Sequence, residues 1–143
     1  MNDKPFVDTN VLVYAVEAEG SHSEKALLAS ALLQSQKFCL STQVLSEFYT
    51  AVTQPRRPVP LTHEEAVAWV DLWKRHEVHA IAVPNVSLAL DWRARFNIGY
   101  FDALILATAH LAGCTVVYSE DLNDGQDYSG VRVDNPFRGL PPR

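Results

Sequence analysis

Short, wholly apolar runs alternate along the chain with longer stretches in which apolar residues recur every three or four positions. Pro5-Phe6-Val7 is the first run; it ends in Asp8-Thr9-Asn10, after which Val11 to Val16 reads as a helix. Ser21-x-x-Glu24 has the form of a capping box, in which a hydroxyl and a later glutamate satisfy the free amides of a helix start. It leads into Ala26-Leu27-Leu28 through Leu33. Phe38-Cys39-Leu40 reads as a second strand, followed by a helix capped by Ser41 or Thr42 that carries Val44, Leu45, Phe48, Ala51 and Val52. This helix must stop before Pro55, and Arg56-Arg57-Pro58-Val59-Pro60 makes a stiff basic loop. Thr62-x-x-Glu65 opens the next helix, with Val67, Val70 and Trp73 at helical spacing, and Val78-His79-Ala80-Ile81 is a third strand. A helix from Asn85 to about Phe96, a break at Asn97-Ile98-Gly99, and a helix from Tyr100 to Leu111 closed by Gly113 follow. Thr115-Val116-Val117-Tyr118 is the fourth strand and Val131-Arg132-Val133 the fifth.

Strands that are apolar throughout must be covered on both faces, which points to parallel strands connected by helices. The expected fold is α/β: a three-layer α/β/α sandwich around a mostly parallel five-stranded sheet. With 143 residues and 48% apolar content the chain builds one core, so residues 1–137 form a single domain and the Pro- and Gly-rich residues 138–143 a flexible tail. Met1-Asn2-Asp3-Lys4-Pro5 lacks the apolar run of a signal peptide, and Ala103 to Ala112 is too short to span a bilayer. A cytoplasmic protein without membrane contact is expected. Cys39 and Cys114 stand in apolar surroundings without a Cys-x-x-Cys or Cys-His spacing, which reads as buried free thiols and sets zinc aside. A net charge of −5 disfavours a broad nucleic-acid surface and leaves local basic patches.

Ligands of parallel sheets gather beyond the carboxyl ends of the strands. Asp8 follows the first strand, and Asp121 follows the fourth through Ser119-Glu120. Glu47, with Val44 before it and Ala51 after it, falls beside the apolar stripe of its helix, and Asp102 shares a face with Leu106 and Ala109. Taken singly, Asp8 and Asp102 read as helix-start residues, and Asp121 and Asp124 as turn residues. Together they are two acids at strand ends and two facing inward from helices, an arrangement that is costly unless a cation joins it. Glu24 and Glu65 are explained by capping, and Glu64, Asp71, Glu77 and Asp91 read as solvated.

Four segments, in order, carry a resemblance: Phe6-Val7-Asp8-Thr9-Asn10-Val11-Leu12, Ser46-Glu47-Phe48, Tyr100-Phe101-Asp102-Ala103-Leu104-Ile105 and Tyr118-Ser119-Glu120-Asp121-Leu122. At these separations the chain resembles the PIN-domain family, and within it the VapC-like toxins of bacterial toxin–antitoxin pairs, from Phe6 to Asn135-Pro136-Phe137. The resemblance implies a ribonuclease with Asp8, Glu47, Asp102 and Asp121 as catalytic acids and Asn10 and Ser119 as supporting polar residues. Whether Asp124 joins them as an additional acid is left open by the resemblance, because the segment after Asp121 varies within the family. It also implies an RNA substrate, a cognate antitoxin and a homodimer. Oxygen-only ligands favour Mg²⁺ or Mn²⁺, held by Asp8 and Asp102, which would polarise a phosphate and acidify a water. Glu47 and Asp121 would place a second ion or orient that water. Arg56, Arg57, Arg93 and Arg95 are candidates for RNA contact, against the plainer reading of solvated or paired charge. Phe48, Tyr49 and Trp92 can stack bases or fill the core.

The rival readings fare less well. A haloacid-dehalogenase-like phosphatase wants a second Asp where Asn10 stands. A receiver wants paired acids after the first strand, and a degenerate, non-catalytic module would have lost an acid. A stand-alone RNA-processing nuclease would look the same as a toxin.

Overall fold

Phe6 and Val7 are completely buried, and this two-residue strand, β1 (Phe6–Val7), is the centre on which the sheet is built. The computed structural model describes residues 1–17 and 23–140. From β1 the chain runs through α1 (Thr9–Glu17), α2 (Glu24–Ser35), β2 (Cys39–Ser41), α3 (Thr42–Val52), α4 (His63–Trp73) and β3 (Glu77–His79). It continues through α5 (Val83–Phe96), α6 (Tyr100–Leu111), β4 (Val116–Tyr118), β5 (Asp127–Tyr128) and β6 (Val131–Asp134). The strand order is β3-β2-β1-β4-β6-β5, parallel except for β5, which runs antiparallel to β6.

The α/β/α architecture with a mostly parallel sheet is as the sequence predicts, with one strand more. β5 is two residues long and turns into β6 through Ser129 and Gly130, both at positive φ (54° and 98°), the backbone of a tight hairpin turn. Residues this few carry no periodicity, and only the Ser-Gly pair marks the turn.

Local chemistry sets the helix ends. Ser41 Oγ accepts from Val44 N (3.2 Å) to start α3, and Thr62 and Glu65 exchange both bonds of a capping box at α4 (3.1 and 2.9 Å). Of the box expected at Ser21 and Glu24, Ser21 lies outside the described residues, and α2 is capped instead by Ser23, which accepts from Ala26 N. Asn85 does not open α5, which begins two residues earlier at Val83, but sits in its first turn. Its Oδ1 accepts from Ala82 N (3.1 Å), and its buried amide donates to Thr108 Oγ1 (3.1 Å), tying α5 to α6. Gly113 stands at φ 81°, where a Cβ would meet the backbone N of Asn2 at 3.3 Å, so the turn after α6 requires glycine.

Helix α6 is buried at every position from Ala103 to Ala109; it lies on β2, β4 and β6 and is covered by α5. The other helical layer is α1 with α2 and α3, and α3 with α4. Phe137 is buried edge-on to Tyr14, with ring centres 4.9 Å apart. Beyond it, in the segment expected as a tail, Arg138 pairs with Asp124 and Asp134 (both 3.0 Å) and Leu140 packs on the core, while residues 141–143 lie outside the described residues. Cys39 and Cys114 are buried and free. No helix among the described residues is long and apolar enough to cross a membrane.

Candidate active site

The chain lays down β1, β2 and β3 outward in one direction and then returns to place β4 on the other side of β1. The order reverses between β1 and β4, and at such a point the two connecting helices diverge and leave a crevice at the strand ends. Asp8 and Ser119 are the first residues beyond those two strands. Asp8 N continues the ladder by donating to Tyr118 O at 3.0 Å.

Asp8 is 5% exposed. Its Oδ1 accepts from Thr9 N (2.7 Å) and its Oδ2 from Ser119 Oγ (2.7 Å), with Asn10 Nδ2 at 3.4 Å. Burial nevertheless pushes its carboxyl up to about 6, and the charges of Asp121 and Glu47 push the same way against the Ser119 and Thr9 bonds. Asp102 sits in the first turn of α6, half-buried, and is also raised, by burial and then by Asp121 and Glu47. No hydrogen-bond donor among the described residues relieves it. Glu47 projects from α3 and accepts from Thr9 Oγ1 (2.8 Å) and Gln43 Nε2 (3.3 Å). Asp121, exposed after β4, accepts from Asn10 Nδ2 at 3.1 Å, while its own N–H donates to Ser119 Oγ at 3.2 Å. The four acids singled out in the sequence thus meet in one crevice, with Asn10 and Ser119 stitching Asp8 to Asp121. Ser46, Glu47, Thr50 and Ala51 line a depression of about 330 Å³ on the α3 side.

Thr9 and Gln43 are functional candidates that the sequence did not single out. Gln43 is buried; its amide also donates to Phe101 O (3.1 Å), and its Oε1 has no partner among the described residues. It stands one turn before Glu47 on α3, the only signal it offers. Asp124 is committed elsewhere, to Asn135 N (2.8 Å) and Arg138, which hold its carboxyl below the usual range. Glu120, beside Asp121 in the chain, is likewise taken up by Tyr14 and Lys25, each at 2.6 Å. Among the described residues none of the four candidate arginines pairs with the quartet. Arg57 pairs with Glu17 (3.3 Å), Arg95 lies over the Phe96 ring, and Arg56 and Arg93 are exposed. Phe48 and Trp92 are core residues, and Tyr49 OH bonds with His63 Nδ1 (2.9 Å).

No curated protein matches the chain significantly in sequence. Among solved structures it is similar to DNA-bound VapBC from Salmonella typhimurium, with 20% identity over 94% of this chain and 99% of that one and a TM-score of 0.67. It is also similar to VapC20 of Mycobacterium tuberculosis, a sarcin-ricin loop cleaving toxin, with 22% identity, 82% and 90% coverage and a TM-score of 0.66. A toxin–antitoxin complex from Klebsiella pneumoniae matches at 17% identity, 93% and 98% coverage and a TM-score of 0.65. These likenesses describe the fold. The model of the PIN domain matches residues 6–123, a span that begins at β1 and takes in all four acids, and the chain belongs to that family.

Proposed function

We propose that the protein is a divalent-metal-dependent ribonuclease, with Asp8, Glu47, Asp102 and Asp121 as its catalytic acids, and that it is the toxin of a VapBC-type toxin–antitoxin pair. The observation that carries this reading is the crowding of four carboxylates where Asp8 is buried and Asp102 has no donor among the described residues. Carboxylates so arranged repel one another, and a hard cation removes the repulsion and the burial penalty together. The donor set is oxygen only, which fits Mg²⁺ or Mn²⁺, and Asp8 and Asp102 are the residues that would hold it. When bound, the ion supplies polarisation of the scissile phosphate and a more acidic water.

The chain's own residues do the positioning. Ser119 Oγ and Thr9 N fix both oxygens of Asp8, and Asn10 holds Asp121 at the rim, where an incoming water can be oriented. Arg56, Arg93 and Arg95 are exposed and available to RNA phosphates. VapC20 is described as cleaving the sarcin-ricin loop, and the other two similar structures are a toxin–antitoxin complex and a DNA-bound VapBC. Exposed Val83, Leu90 and Phe101 offer apolar surface for a homodimer. We place the protein in the cytoplasm, where RNA and antitoxin both are.

The test is cleavage of total RNA and defined hairpins. Cleavage is expected only with Mg²⁺ or Mn²⁺, to leave 5′-phosphate and 3′-hydroxyl ends, and to survive a 2′-deoxy substitution at the scissile nucleotide, because water and not the RNA's own hydroxyl attacks. A cyclic 2′,3′-phosphate product, or full activity in chelator, overturns the reading. Thr9 and Gln43 act as positioning residues for Glu47. Thr9→Val and Gln43→Ala should each lower kcat about tenfold with KM little changed, and Thr9→Ser should restore it. Loss through KM alone, or no rescue by serine, would remove them from that role.

A further inference from the structure

Beyond the acids, β2 and β3 bring together three side chains of a different chemistry. Cys39 pairs in register with Glu77, and His79 lies two residues further along the same strand, so Glu77 and His79 share a face. The Cys39 Sγ, a Glu77 carboxylate oxygen and an imidazole nitrogen of His79 all lie within 4.8 Å of one another. Cys39 and Glu77 open their strands, whereas the acids of the active site follow strand ends or stand on helices.

We propose that Cys39, Glu77 and His79 form a second metal site, which takes Zn²⁺ or a similar late transition ion and is separate from the oxygen-only site. One thiolate, one imidazole and one carboxylate suit a borderline-soft ion and do not suit Mg²⁺. Without an ion the group is oversubscribed. Glu77 Oε2 alone receives His79 Nε2 at 2.6 Å, Asn2 Nδ2 at 2.7 Å and Cys39 Sγ at 3.2 Å, three donors on an oxygen with two lone pairs. Bonds of about 2.0 Å to N and O and about 2.3 Å to S set tetrahedral ligand atoms roughly 3.2–3.6 Å apart. The sulfur–oxygen pair must open by roughly 0.3 Å and the nitrogen–oxygen pair by roughly 0.7 Å, within reach of a His79 side chain that is 31% exposed. Lys4 Nζ holds the other oxygen of Glu77 at 3.1 Å, which fixes the carboxylate for one-oxygen binding. The buried Cys114 thiol stands outside this group, which leaves the fourth position to water. Burial, with the Glu77 carboxylate beside it, pushes the Cys39 thiol up, so the proton stays on sulfur until an ion displaces it to solvent. The two anionic ligands then balance the dication. The sequence spacing could not reveal the site, because Cys39 and Glu77 are 38 residues apart.

Titrating the full-length, reduced protein with Co²⁺ tests this without reference to nuclease activity. One equivalent should produce a thiolate-to-cobalt charge-transfer band with tetrahedral visible absorption, unaffected by excess Mg²⁺ and bleached by Zn²⁺. Zn²⁺ should also raise the thermal midpoint. Cys39→Ser should abolish the band. Because that thiol is buried and its loss can unfold the protein, His79→Gln, at a half-exposed position, is the second variant, and it should weaken Co²⁺ binding at least about tenfold. Absence of the band in the wild type overturns the proposal, as does a band of undiminished affinity in folded His79→Gln.

Discussion

Asp102→Asn should leave the protein folded and lower its RNA cleavage on the order of 100-fold or more, at or beyond the largest losses usual for residues that only orient a metal ligand. An amide has nearly the shape of a carboxylate but is a poor ligand for a hard cation. Asp102 is the clearest position for the experiment because its carboxylate makes no hydrogen bond with the described residues that the amide would forfeit; around it stand burial and the charges of Asp121 and Glu47. In metal-free protein the amide can donate to those neighbours, turning repulsion into attraction, so the thermal midpoint should hold or rise while activity disappears. Asp124→Asn is the contrast: its carboxylate is bound to Arg138 and Asn135 N, so that variant should lose some stability and retain cleavage. Full activity in folded Asp102→Asn, measured on the same RNA with saturating Mn²⁺, would end the metal-binding role assigned to it.

The sequence disclosed what depends on local rules. Thr62 and Glu65 cap a helix because their spacing fits one turn, and Glu47 read as inward because its helix has a definite apolar stripe. Asp8 and Asp121 were readable because parallel strands put their ends at one edge. Thr9 and Gln43 carry no such mark: a threonine after an aspartate and a glutamine in a first helical turn are ordinary until α1 and α3 pack and bring both to Glu47. Glu77 shows the limit most clearly. It read as solvated, yet it receives Lys4, Asn2, His79 and Cys39, and those bonds, led by that from Cys39, hold its carboxyl down to about 2. Its partners come from the chain's first residues, from β2 and from its own strand, and only tertiary pairing joins them.

Asp8→Asn should stabilise the metal-free protein at neutral pH and lose that advantage in acid. The folded carboxyl titrates at about 6, above its ordinary 3.8, so between these values the folded state keeps a proton that the unfolded chain has released. Stability therefore falls as pH rises through this window; the burden is complete above about pH 6 and absent below about pH 4. A gap of this size corresponds to about 3 kcal/mol at most, which for a chain of this length is a shift of up to roughly ten degrees in thermal midpoint. Other acids run the opposite way: Glu77, Glu65 and Asp124 are all held low, and their stabilisation is lost as pH falls through their folded values. The raw pH profile of the wild type thus mixes both signs, and the difference between wild type and Asp8→Asn isolates the one group. That difference should be measured by thermal and urea unfolding from pH 4 to pH 8, in chelator and again with Mn²⁺. In chelator it should favour the variant above pH 6 and vanish near pH 4. With Mn²⁺ the wild type alone should gain, because it binds the ion in the folded state only, and the advantage should close or reverse. The gain should also fade below pH 6, where protons compete for the same oxygens. A difference that is flat with pH, or a Mn²⁺ effect equal in both proteins, would mean that Asp8 carries neither the burial penalty nor the metal.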